Sequence, residues 1–516
     1  MHRTFGQQGQ NGRPDITPAA TPAPTATATA STATATASAM MATGPRLTHR
    51  FPRPIRPETS TIYRRWSNCR ARSGPAVARL PARTTGQFVW NQITLAGARQ
   101  RQARRREAGR GGLRIATVAD MRAMGKSLAG AALAGLLVAA VMPATAATAG
   151  EATAATIRGS LLAELSDYLK DYRATEHISA VSLAVTFRGG GRGINLAAGS
   201  TRFSGGSRVS PHALWQIGSN TKAFTSVLVL ELEAEHRLSI NDTLGRWLPQ
   251  YAAWRHVTVR QLLDMTSGIP SYTDSGTFWQ DVAAAPHGVF SASRLVSYAL
   301  GMPRTRGYSY SNTNYILLQM IIERAAHDSY ARQLCNRIIS PLNLRNVFYS
   351  AANYPPAITG RLPASYWHIP LPAMKSQYDR DQRRHILSWG QGAGGIIGSL
   401  QDLAAWDRAL FGGRELPARQ QRELTSLVST KTGKPIKKTT LADPAGYGLG
   451  VSQVTSRALG TVWYYEGETD GFRVVNLFAP RTGTAIVLGV NSASLTDHTA
   501  ALATSIFRTL RNAGLG

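Results

Sequence analysis

The sequence predicts an α/β chain of the α+β type, an antiparallel sheet flanked by helices with a mainly helical subdomain beside it. Three observations predict it. Strand patterns stand at both ends of the region after residue 150, and the stretch between them, about 222–410, is helical and punctuated by Gly and Pro. A tight turn then joins the last two strands.

In chain order, Ile157 to Tyr172 carries Leu161, Leu162, Leu165, Tyr168 and Leu169 at helical spacing. Ala180 to Phe187 alternates as a strand does, and Gly189-Gly190-Gly191 turns it into a second strand, Ile194 to Ala198. Helices are expected over Lys222–Glu235 and Tyr315–Ala326. Strand patterns return at Tyr447–Val454, Val462–Tyr465, Phe472–Phe478 and Ala485–Val490. Pro480-Arg481-Thr482-Gly483 is the expected hairpin turn, and Thr499–Arg511 reads as a helix. Cys335 lies in an apolar helical pattern and reads as packing.

The 516 residues carry 58 Lys+Arg against 29 Asp+Glu, a formal charge of +29, which raises nucleic acid or an anionic membrane as partners. The distribution of that charge argues otherwise. Residues 1–120 hold 19 Arg, no Lys and four acidic residues, so +15 sits there and only +14 in the rest. This leader combines a Pro/Ala/Thr tract (Thr17 to Ala42), a Pro/Arg stretch (Pro45 to Pro57) and an Arg cluster (Arg99 to Arg110). Too few of its residues are apolar and clustered to offset chain entropy, so disorder is expected, and a misassigned start is a simpler account of it than a nucleic-acid arm. Residues 121–149 read as a signal peptide: a basic Met121–Lys126, an apolar run Leu128–Met142, and A-x-A cleavage sites after Ala146 or Ala149. That run is short for a bilayer span of about 20 residues, so a periplasmic or secreted protein with no stable membrane span is expected. Residues 150–516 then form one enzyme-sized domain.

Ser219 and Lys222 form the only S-x-x-K in the chain, at the start of a predicted helix. Three residues apart, they share a helical face, and the helix N-terminus favours developing negative charge. A desolvated Lys beside a Ser lowers the cost of deprotonating the hydroxyl. Tyr310-Ser311-Asn312 is the only Y-x-N. A loop Tyr near a cation can serve as general base or acid once its pKa is depressed, and an Asn amide can hold the Lys and a substrate carbonyl together.

With these motifs in this order, the sequence resembles the class C β-lactamases and their relatives among penicillin-binding proteins, D,D-carboxypeptidases, D-aminopeptidases and family VIII esterases. The resemblance rests on Trp215–Lys222, Val259–Ile269, Tyr310–Tyr315, Gly392–Ile397 and Tyr447–Gly450, in family order. It implies a β-lactamase/transpeptidase-like fold and a serine hydrolase without cofactor; separately, the eleven His residues show no metal-like cluster and no H-E-x-x-H occurs, so zinc-dependent hydrolysis is disfavoured and no metal is expected. Ser219 would be the acylated nucleophile, Lys222 its activator, Tyr310 general base and acid, and Asn312 a group orienting substrate and Lys222. The expected partner is a small-molecule or peptide-like substrate.

The third family motif, K-T-G or H-T-G on the strand edging the site, is altered. The literal Lys431-Thr432-Gly433 lies in a polar stretch with no strand pattern after it and is set aside. Tyr465-Glu466-Gly467-Glu468, followed by Gly471-Phe472 and Phe478-Ala479-Pro480, matches the flanks. Tyr465, Glu466, Gly467 and Glu468 are therefore the remaining substrate-binding candidates, with the backbone N–H groups of Ser219 and Glu468 as an oxyanion hole. Without the family's cation an anionic substrate is disfavoured unless Arg473 compensates. Neutral esters and amides rank above D-alanyl-D-alanine carboxypeptidase and β-lactamase activity, and a catalytically silent cell-wall-binding protein is the non-enzymatic alternative. Gly390–Gly395 satisfies G-x-G-x-x-G but follows no apolar strand, and reads as a tight loop before a helix capped by Ser399 and Asp402.

Overall fold

The computed structural model describes residues 144–515 apart from 191, 192 and 386. The leader and the export segment up to residue 143 lie outside the described residues. Helix α1 (Ala144–Tyr172) is followed by β1 (Ala180–Thr186) and β2 (Ile194–Gly199). The other strands are β3 (Leu214–Gln216), β4 (Val347–Tyr349), β5 (Tyr366–His368), β6 (Ile396–Ser399), β7 (Leu427–Ser429), β8 (Pro435–Ile436), β9 (Ala445–Tyr447), β10 (Ser452–Ser456), β11 (Gly460–Glu468), β12 (Arg473–Ala479), β13 (Thr484–Val490) and β14 (Ser492–Ser494). Four more helices matter to the site: α2 (Thr221–Ala234), α3 (Asn312–Ala326), α4 (Leu400–Phe411) and α5 (Thr499–Asn512).

Nine strands form one sheet in the order β2-β1-β13-β12-β11-β10-β9-β7-β8, with antiparallel neighbours throughout. The expected closure by distant segments is present: Val181 faces Val490 and Thr186 faces Ala485 in the β1–β13 register. One face is covered by α1 and α5, whose Leu161, Leu165, Leu502, Ile506 and Leu510 pack on Val181, Leu183, Val475, Leu477 and Leu488. The other face receives α4, where Phe411 stacks on Trp463 and Phe224 of α2 stacks on Trp406. With both faces covered, β12 and β13 are buried along their whole length.

Two expectations on the elements are corrected. The helical centre also holds the short strands β4, β5 and β6, and β3-β6-β4 form a small sheet of their own. The single strand expected over Tyr447–Val454 is two strands broken at Gly450, where φ is +75°. A Cβ at Gly450 would stand 2.0 Å from Ser226 Oγ, so only glycine lets this turn press on α2. The cap expected at Ser399 is found: its hydroxyl accepts the Asp402 N–H at 3.2 Å. Cys335 is buried, in keeping with a packing role. No helix among the described residues is long and apolar enough to cross a membrane.

Candidate active site

Ser219 sits in a one-turn segment, Gly218–Asn220, between β3 and α2. Gly218 has φ +52°, and a Cβ there would lie 2.6 Å from the backbone N of Glu468. A Cβ at Gly467 would lie 2.0 Å from Ile217 O and 2.8 Å from the backbone N of Ser219. The two glycines thus allow β11 to pass against the serine turn, backbone to backbone. Ser219 itself is partly exposed, so a substrate can reach it.

The fold brings the predicted residues around the Ser219 hydroxyl. Tyr310 donates its O–H to Ser219 Oγ at 2.6 Å, and Lys222 Nζ lies 2.9 Å from the same oxygen. Lys222 also donates to Asn312 Oδ1 at 2.8 Å and to the Ala393 carbonyl at 2.7 Å. The Asn312 amide is fixed by its other end, whose Nδ2 donates to Thr273 Oγ1 at 3.1 Å. Lys222 is fully buried and makes no ion pair among the described residues; its Nζ lies over the Tyr310 ring at 4.8 Å. Burial without a counter-charge holds its pKa well below the usual lysine value.

That environment sets the proton logic. The two carbonyl oxygens around Nζ can only accept. A neutral Lys222 keeps two N–H groups for them and turns its lone pair toward the Ser219 hydroxyl. Tyr310 departs from expectation: burial pushes its hydroxyl up, to about 12, although hydrogen bonds with Ser219 and Tyr465 pull it down. It is a proton-bearing phenol, not a phenolate. The arrangement can therefore take the Ser219 proton on Lys222 while Tyr310 stands as a donor on the other side of Oγ.

Tyr465 lies on β11 as expected and turns toward the site, its hydroxyl 2.8 Å from that of Tyr447. Successive strand residues face opposite ways, and Glu466 points away from Ser219. Its carboxyl accepts from Thr499 Oγ1 at 3.3 Å and hydrogen-bonds Asp497; burial and the Asp497 charge raise its pKa well above the carboxylate range, so it holds the shared proton. The placement of Glu466 and Glu468 as side-chain contacts to substrate is accordingly corrected. Glu468 is on the same far face, near Arg473 and Asp497, and only its backbone borders the serine turn. Arg473 is fully buried, pairs with Glu176 and, at 2.8 Å, with Asp497, and donates to the Ser492 carbonyl at 2.8 Å. It is committed there and cannot replace the missing cation.

Lys431-Thr432-Gly433 forms the turn between β7 and β8, with Lys431 exposed and Gly433 pressed on Gly307 and Tyr308. It stands on no strand. Sequence reasoning missed the Ala393 carbonyl, Thr273 and Tyr447. The first belongs to the glycine loop read only as a turn, and its backbone oxygen leaves no residue-type signal.

The chain resembles known proteins over most of its described residues. The family model described as Beta-lactamase matches residues 165–511. Protein flp of Staphylococcus aureus (strain COL) is 31% identical over 153 residues, 28% of this chain and 30% of the relative. Penicillin-binding protein 4* of Bacillus subtilis (strain 168) is 25% identical over 270 residues, 51% of this chain and 57% of the relative. The chain thus spans less than a third of the first relative and little over half of the second. Among solved structures, a D-stereospecific amidohydrolase from Streptomyces sp. aligns with TM-score 0.58 at 24% identity, covering 67% of this chain and 98% of that one. D-amino acid amidase from Ochrobactrum anthropi SV3 aligns with TM-score 0.59 at 19% identity, over 70% and 99%. These two likenesses bear on the fold alone. With two thirds of its residues under the family model and a Ser–Lys–Tyr cluster beside the central strand β11, the chain belongs to the Beta-lactamase family of serine hydrolases.

Proposed function

We propose that this protein is an exported serine hydrolase that cleaves a small ester or amide through an acyl-enzyme on Ser219. One observation carries the reading: Ser219 Oγ lies within hydrogen-bond reach of both Lys222 Nζ and the Tyr310 hydroxyl. Lys222 takes the proton as Oγ attacks the carbonyl carbon, and Tyr310 delivers a proton to the leaving alcohol or amine. Water then attacks the ester formed on Ser219, its proton restoring the Tyr310 hydroxyl while Lys222 returns its proton to Oγ, and the acid is released. The backbone N–H groups of Ser219 and Glu468 stabilise the oxyanion, a role supported by the close passage of β11 over the serine turn.

Tyr465 in place of a cation, with Arg473 locked in its own ion pairs, favours substrates without a carboxylate at that position. The amidase names among the structural neighbours make D-amino-acid amides the first class to try, ahead of β-lactams. Export rests on residues 121–149; a native N-terminus near Ala147 or Gly150 by mass spectrometry supports it, and one near Met1 overturns it.

The test is a fluorophosphonate probe followed by a screen of short-chain esters, D-amino-acid amides and a chromogenic cephalosporin. Labelling and turnover that vanish in Ser219→Ala are expected. Folded protein that neither labels nor turns over any of the three would sink the reading in favour of a silent binding protein.

A further inference from the structure

The turn between α1 and β1 brings His177 to the distant strand β5 and the loop after it, where it meets His368 and Asp379, outside the Ser219 site. His368 Nδ1 lies 2.7 Å from one oxygen of Asp379, and His177 Nδ1 lies 3.4 Å from the other. The ligand atoms of all three fall within 4.8 Å of one another. We infer that these residues form a divalent transition-metal site, taking Zn²⁺ or a similar ion on two imidazoles and one carboxylate, with water completing the coordination.

The donor set suits such an ion, since imidazole and carboxylate are common zinc ligands and three protein ligands leave one position of a tetrahedron for water. Metal–ligand bonds of about 2.0–2.2 Å place the ligand atoms of a tetrahedron roughly 3.3 Å apart. The two imidazoles meet different oxygens of Asp379, so coordination through one oxygen requires the carboxylate to turn and the His368–Asp379 pair to open by about 0.6 Å. Coordination uses the Nδ1 lone pairs, so each ring carries its proton on Nε2.

The rings are set in place by packing. His177 is sandwiched between Phe203, centroids 3.9 Å apart, and His368, 5.3 Å away, with Tyr366 against its edge. His177 and Asp379 both hold left-handed backbone, φ +52° and +56°, which non-glycine residues adopt at a cost. The side chains are 16%, 21% and 30% exposed, open enough for an ion to enter.

The ion would pin the 366–381 excursion to the turn that starts the sheet. Just before β5, Ser365 fills the space at Gly471, directly after the strand that borders Ser219. The role is therefore structural support for the site's edge, with no part in the hydrolytic step.

The competing account is a plain carboxylate clamp between two imidazoles, and the experiment separates the two. The full chain is stripped with a chelator and titrated with Co²⁺, reading the visible absorption of the bound ion and the thermal midpoint. One saturable equivalent, displaced by Zn²⁺ and raising the midpoint, is expected. Asp379→Asn and His368→Ala should each weaken Co²⁺ binding at least about 10-fold, with labelling of Ser219 by the probe retained. Should a variant fail to fold, His177→Gln gives the same reading. Non-saturating uptake by the unaltered chain, or uptake that survives all three substitutions, overturns the inference and leaves the clamp.

Discussion

Two buried cations flank β11, and they are built for opposite purposes. Lys222, on the Ser219 side, is ringed by neutral oxygens and, among the described residues, by no carboxylate. Arg473, on the far side, sits between Glu176 and Asp497. Both are fully removed from water. An uncompensated ammonium is pushed toward losing its proton, whereas a compensated guanidinium is pinned in its charged form. Counter-charge, more than burial, decides whether an interior cation carries protons or fastens structure.

The largest effect expected from this contrast is on Lys222. Lys222→Ala should cut kcat/KM on the best ester or amide by about 10,000-fold, while the thermal midpoint holds or rises because an unpaired buried amine has gone. Retained turnover would break the comparison. Arg473→Met should do the reverse: a loss of about 3–5 kcal/mol of stability by denaturant unfolding, since Glu176 and Asp497 lose the buried guanidinium they share, with turnover per folded molecule largely kept. An unchanged unfolding midpoint would remove Arg473 from the fastening role.

Asp407 of α4 extends the contrast to the opposite sign. It is buried with only the Asn476 amide as partner among the described residues, at 3.1 and 3.0 Å, and burial pushes its pKa up to about 7. The folded state therefore keeps a proton that the unfolded chain releases near pH 4. Its contribution to stability is full below that and is lost as pH rises through 7, by up to about 4 kcal/mol. Unfolding followed from pH 4 to 8 should show that decline in the parent and a flatter curve in Asp407→Asn; parallel curves would contradict it. The smallest effect is on rate against pH. Below the lowered pKa of Lys222, kcat/KM should rise about tenfold per pH unit, and Tyr310 should cause no alkaline fall until about pH 12. A fall near pH 10 would show a Tyr310 that ionises as an exposed phenol does.

The nucleophile's neighbourhood was legible because its parts are local and rare: one S-x-x-K at a helix start and one Y-x-N before a second helix. β1, β2 and the β12–β13 hairpin were legible from alternation and the turn at Gly483. The direction of Glu466 was not. Alternation says that Tyr465 and Glu466 part ways, but a sheet covered on both faces offers no polar side to mark which of them meets the substrate. Arg473 read as a free base because Glu176, its partner, stands 297 positions away. His177, His368 and Asp379 carry no spacing motif for the same reason.

The β1–β13 pairing has a further consequence, for synthesis. The first strand of the sheet waits for a partner made some 300 residues later, and α1 waits with it for α5. Contacts of such sequence separation form late and slowly, after a long loop has been closed. A ribosome paused before Thr484 therefore carries a serine, a lysine and a tyrosine beside a sheet still lacking the strand that joins β1 to β12. Activity should switch on only when translation is nearly complete.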